Sequence, residues 1–102
     1  MSENRRTTTR YDVSIPANLT IDGNAQDLTV SNLSLGGAFV EIAERLAIGT
    51  RVEIKFSIPG REEAVGVGGS VRWVAPSGAG IQFDGLRAGE VWSLNQFFTT
   101  LG

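Results

Sequence analysis

Arg6 and Arg10 stand four positions apart, with three threonines between them, and Arg5 precedes the pair. The β-branched threonines disfavour helix and stiffen an extended chain. In an extended segment both arginines project to one face, their stems about 13 Å apart at the usual rise per residue. Each guanidinium fork can hold a phosphate bidentately or read the O6/N7 edge of a guanine. Two forks at that separation suit the two ends of an extended anion; a solvated basic tail is the plain alternative. A second group lies in SNLSLGGAF, residues 31–39. The Asn32 amide can both accept and donate, and the Ser34 hydroxyl can serve a base or a phosphate. Gly36 and Gly37 allow positive φ and close ligand approach, and the N–H groups around them suit an anion nest. A β-bulge between two strands explains the same residues without a ligand.

The residue types that are absent narrow the chemistry. The chain has no histidine and no cysteine, so it lacks the usual general base, thiol nucleophile and zinc ligands. No Ser-His-Asp or Cys-His arrangement can be built from it, and no catalytic residue or metal ligand is expected. Glu62 and Glu63 are adjacent; in a strand they point to opposite faces and cannot flank one bond, so a solvated turn is the expectation. A formal charge of −2 argues against binding a nucleic-acid polymer. No apolar run is long enough to span a bilayer, and the polar N-terminus is unlike a secretory signal. A cytoplasmic protein with no direct membrane insertion is expected.

These groups need a scaffold, and the hydropathy pattern supplies one. A length of 102 residues fits a single domain. Residues 1–9 read as a flexible basic arm, and residues 10–102 as the folded domain. From Val13 the period is two: Val13, Ile15, Ala17, Leu19 and Ile21 alternate with polar residues, Pro16 marking an edge or a bulge. Asp22-Gly23-Asn24 signals a turn, after which Leu28 and Val30, then Ala38, Val40 and Ile42, continue the alternation. Residues 50–58 are the cleanest strand, with Val52, Ile54, Phe56 and Ile58 on one face; Pro59-Gly60 ends it. Val65, Val67, Val71 and Trp73 form another apolar face, Pro76-Ser77-Gly78 turns, and Ile81 and Phe83 mark a last strand. Then the period changes: Glu90, Val91, Leu94, Phe97, Phe98 and Leu101 fit an amphipathic helix over residues 88–100. Short strands at near-regular spacing favour an all-β barrel or sandwich, the helix covering one opening. Trp73 is expected in the core and Trp92 in the helix packing, or on a partner surface. Tyr11 suits either core packing or stacking on a base.

Arg-x-x-x-Arg at 6–10 followed by Asn-x-Ser-x-x-Gly at 32–37 resembles the paired signature of the PilZ domain family. NLSLGGAFVEI, LAIGTRVEIKFSIPG, GGSVRWV and GAGIQF look like PilZ segments in the same order, so the similarity spans about residues 5–100. The resemblance implies an all-β fold, a six-stranded antiparallel β-barrel with a C-terminal α-helix. It implies a bacterial receptor for cyclic di-GMP, a dianion with two guanines, and no resident cofactor. By the same analogy Arg6 and Arg10 bind phosphate and guanine edges, Asn32 and Ser34 contact guanine, and Gly36 and Gly37 shape the loop. An additional arginine at position 5 goes in the family with a stacked pair of ligand molecules. The arm is then a mobile jaw closing on a fixed loop, and with no effector domain attached the signal is expected to pass to a partner protein. The competing reading is a PilZ-like interaction adaptor that binds no nucleotide; such domains lose the arginines or the Asn/Ser positions, all retained here.

Overall fold

The computed structural model describes residues 10–101. Six strands come first: β1 (Tyr11–Ile21), β2 (Asn24–Leu33), β3 (Gly37–Glu41), β4 (Arg51–Phe56), β5 (Val65–Ala75) and β6 (Gly78–Phe83); helix α1 (Ala88–Leu101) follows. Every neighbouring pair is antiparallel, and the order β1-β2-β3-β6-β5-β4 closes through β4 onto β1. Periodicity leaves barrel and sandwich open, and the six-stranded antiparallel barrel with a C-terminal helix that the PilZ resemblance implies is the fold observed. Closure selects the barrel, because it pairs both sides of the sheet and leaves no free edge.

The period-two pattern explains the core. Leu19, Val30, Val40, Ile54, Phe56, Val65 and Val71 point inward and are buried. Asp22 and Gly23 both have positive φ and form a two-residue turn, the mirror-image geometry whose twist suits a tight hairpin. Pro16 causes no break. β1 pairs with β4 only from Ala17 onward, so the missing N–H of Pro16 falls outside that ladder, and the β1 irregularity lies just before it, between Asp12 and Ile15.

Helix α1 begins with half a capping box: the Glu90 carboxylate accepts the Arg87 backbone N–H at 2.9 Å. This accounts for a buried glutamate in the first turn. Leu94 and Phe98 join the barrel core, and Phe98 stacks on Tyr11 with ring centroids 4.1 Å apart. Tyr11 is therefore engaged in packing. Arg61, beyond β4, donates to the Ser93 hydroxyl at 2.7 Å and pins the helix from the other side.

Three expectations change. The strand expected over residues 50–58 is confined to Arg51–Phe56, with Ile58 still buried beyond its end. Trp92 is 65% exposed and Leu101 43% exposed, so neither belongs to the packed face of the helix. Trp73, expected in the core, is 41% exposed on the outer wall. A bulge explains Trp73. The β5–β6 register slips between Val71 and Trp73, so Arg72 is an extra residue and the inward–outward alternation inverts after it. Glu62 and Glu63 are exposed, as a solvated turn requires.

Candidate recess on the outer wall

Register carries one lateral row across five strands. Asp12 of β1 faces Asn32 of β2; Asn32 faces Phe39 of β3; Phe39 faces Gly80 of β6; Gly80 faces Trp73 of β5. Bulges in β1, β2 and β5 border this row. In β2 the extra residue is Ser31, so Val30 and Leu33 point inward while Asn32 stays on the outer wall. In β5 it is Arg72, and Arg72 and Trp73 come to line the outer wall together. The bulge that explains SNLSLGG without a ligand is present at Ser31, and it is what leaves Asn32 on the outer wall.

The loop joining β2 to β3 is held by Ser34, which is only 5% exposed. Its hydroxyl accepts the N–H groups of Gly36 and Gly37, each at 3.2 Å, and donates to the Gly37 carbonyl at 3.3 Å. The Ser34 N–H donates to the same carbonyl at 2.9 Å. One donor and two acceptor sites are all a hydroxyl has, so Ser34 is saturated within the loop. The two glycine amides expected to form an anion nest are already engaged by Ser34. The glycines with positive φ are Gly23, Gly49, Gly60 and Gly85, and neither loop glycine is among them. Gly37 is required for another reason: a Cβ there would lie 2.2 Å from the Ile81 carbonyl oxygen across the β3–β6 pair. The Asn32 amide donates to the Asp12 carboxylate at 3.3 Å, which fixes its plane and leaves its own oxygen without a hydrogen bond among the described residues.

These groups open onto a recess of about 370 Å³. Arg10, Asn32, the 34–37 loop, Arg72, Trp73 and Gln82 line it, and no carboxylate does among the described residues. Two arginines therefore line a recess with no acidic residue in its lining among those described, and the Asp12 carboxylate is held by the Asn32 amide. Arg72 donates to the Gln82 side-chain oxygen, which holds it along the wall. A shallower hollow of about 260 Å³ adjoins, with Arg10, Asn32, Phe39 and Trp73 around it. Trp73 and Phe39 are stacked with centroids 5.1 Å apart.

Of the residues expected from the sequence, Arg10, Asn32, Ser34, Gly36 and Gly37 come together at this recess. Arg5 and Arg6, with the rest of the arm, lie outside the described residues. The sequence reading missed Arg72, Trp73, Gln82 and Phe39. Trp73 was hidden because alternation placed it with Val71. The available signal was Gly78-x-Gly80, since glycine inside a strand marks a close approach. The Arg51–Asp84 ion pair, whose guanidinium is raised and whose carboxyl is lowered by their hydrogen bonds, lies outside the lining.

Fold and recess define a class: a small closed β-barrel whose polar recess sits on the outer wall beside a serine-braced glycine loop. The chain belongs to the PilZ domain family, whose model matches residues 4–99. Among solved structures, the Bacillus subtilis inhibitor of motility MotI/DgrA is 20% identical with a TM-score of 0.79, covering 94% of this chain and 50% of its own. The PilZ domain of YcgR from Escherichia coli, solved with c-di-GMP, is 17% identical with a TM-score of 0.71, covering 95% and 91%. The Borreliella burgdorferi PlzA protein, in complex with c-di-GMP, is 16% identical with a TM-score of 0.70, covering 88% and 39%. The chain thus spans half of MotI/DgrA and less than half of PlzA. No curated protein matches the chain. No helix among the described residues is long and apolar enough to cross a membrane.

Proposed function

We propose that the chain is a receptor for cyclic di-GMP, bound at the outer-wall recess and clasped by the arm of residues 1–9. The observation that carries this reading is the convergence of Arg10, Arg72, Asn32 and the Trp73 indole on one recess with no acidic lining. Cyclic di-GMP presents two phosphates and two guanines. Guanidinium forks suit the phosphates and the O6/N7 edge of guanine, the indole suits a base face, and the Asn32 oxygen suits a guanine N–H. Arg6 adds a cation from the arm to that of Arg10, and Arg5, the third arginine of the run, helps to neutralise a stacked pair of ligands. In this reading Ser34, Gly36 and Gly37 act by shaping the loop.

Closing the arm costs about 1–2 kcal/mol per backbone residue fixed. Charge-assisted hydrogen bonds of about 1.5–3 kcal/mol each offset that cost. The arm is then the two-state element by which ligand reaches an effector protein. The c-di-GMP in the YcgR and PlzA structures supports the ligand class. Isothermal titration with cyclic di-GMP tests the proposal. A saturating isotherm that Arg10→Ala weakens about 10- to 100-fold is expected. A flat isotherm with folded protein rejects the receptor reading and favours an adaptor that binds no nucleotide.

A further inference from the structure

Several glycines in this barrel stand where a side chain would collide, and two would meet a side chain first: Gly68 the end of the Asp84 carboxylate at 2.8 Å, and Gly80 an aromatic ring. A Cβ at Gly37, Gly69 or Gly78 would first strike a backbone carbonyl oxygen: that of Ile81, Gln82 or Val40. Those glycines serve the closeness of the strands. At Gly80 the three nearest atoms all belong to the Trp73 indole, at 2.2, 2.4 and 2.8 Å. Gly80 pairs with Phe39 on one side and with Trp73 on the other, so it is the centre of an aromatic–glycine–aromatic row. The two rings meet beside it, 25° from parallel.

The indole so held is no part of the core, being 41% exposed, and it lines both the recess and the adjoining hollow with Arg10 and Asn32. An exposed tryptophan on a strand ordinarily samples several rotamers. Here Phe39 flanks it and the bare Cα of Gly80 lets it lie against β6. A ring already ordered loses little freedom when a flat ligand group stacks on it. We propose that Gly80 is a positioning residue for the binding site: by having no side chain it seats the Trp73 indole flat, as a pre-set stacking surface for one guanine of the ligand. This rests on the cyclic di-GMP reading above and adds to it a residue with no polar atom of its own to offer.

Trp73 and Trp92 are the only tryptophans, so Trp92→Phe leaves emission that reports Trp73 alone. In that background, titration with cyclic di-GMP is run on the parent, Gly80→Ala, Trp73→Leu and the double variant, each checked by thermal melting. Base–aromatic stacking is worth about a tenfold change in affinity or more per base. Gly80→Ala is expected to weaken binding about tenfold and to shift Trp73 emission in the free protein. The double variant is expected to bind no worse than Trp73→Leu, since the three atoms nearest the added methyl all belong to the indole. Unchanged affinity in Gly80→Ala, or losses that multiply in the double variant, overturns the proposal and leaves Gly80 as sheet packing. Should Gly80→Ala fail to fold, Phe39→Leu removes the indole's other support. It is expected to weaken binding about threefold or more, and unchanged affinity overturns the proposal equally. A parent that does not titrate rejects the receptor reading and this proposal together, and shows it before any substitution at the row is compared.

Discussion

At the scale of single residues, Ser34 and Arg10 divide two kinds of work. Ser34 is buried and its hydroxyl is saturated by its own loop. Arg10 is exposed and lines the recess. Removing each should therefore fail differently. Ser34→Ala strands two glycine N–H groups, the Gly37 carbonyl keeping the backbone N–H of residue 34, which costs about 1–3 kcal/mol and lowers the melting temperature. Binding then weakens because the loop loses its shape. Arg10→Ala should weaken binding with the melting temperature unchanged. Paired melting and titration curves distinguish these outcomes; equal loss of stability in both variants would make Arg10 structural as well. The motif serine stands out in the sequence, while its bracing of the loop is visible only in its three hydroxyl hydrogen bonds.

At the scale of elements, bulges and terminal clamps set where side chains point. Between the start of β4 and the end of β6, Arg51 donates two hydrogen bonds to Asp84, at 2.9 and 2.6 Å. These hydrogen bonds hold the Asp84 carboxyl below the usual aspartate range; partial burial works against them, and the charge of Arg51 adds to them. The Arg51 guanidinium is correspondingly raised. Unfolded Asp84 takes up its proton at higher pH than folded Asp84. The pair's stabilisation is therefore complete above the ordinary aspartate value, about 3.9, and is lost as pH falls through the lower folded value. Melting wild type and Asp84→Asn in parallel should give a gap that is present at neutral pH and closes in strong acid. Both side chains are at least half exposed, so the gap is small and shrinks with added salt. A gap that widens on acidification would contradict this assignment.

At the scale of the whole molecule, the closed barrel separates stability from recognition. The inward row of β4, Val52 and Ile54, is on the far side of the wall from solvent and is buried. Ile54→Asp places an unpaired charge there and should unfold the domain, abolishing the melting transition at room temperature. Ligand binding through cations on the outer wall should instead weaken steadily with salt while the fold persists. A titration series at rising ionic strength, with circular dichroism alongside, reads both. Salt-independent binding would remove the guanidinium groups from the account.

How much of this was legible follows from the length over which each cause acts. Alternation identified nearly all the inward residues of β1, β4 and β5 up to Val71, because a strand's two faces repeat every second residue. The Asp22-Gly23 turn, the terminal helix and the Asn-x-Ser-x-x-Gly loop were equally local and could be read from the residues alone. The row Asp12–Asn32–Phe39–Gly80–Trp73 could not, since it joins residues from five strands through cross-strand pairing. Nor could the fate of Trp73: a single unpaired residue, Arg72, inverts every face after it, and the partner strand's hydrogen bonds decide where that residue falls. The amino-acid order by itself determined which segments alternate, where they turn and which polar groups flank the glycines. Alternation could not choose barrel over sandwich, a choice that the family resemblance made and the closed strand order bears out; the tertiary structure alone moved Trp73 from core to recess, because strand register is a property of two chain segments and belongs to neither one.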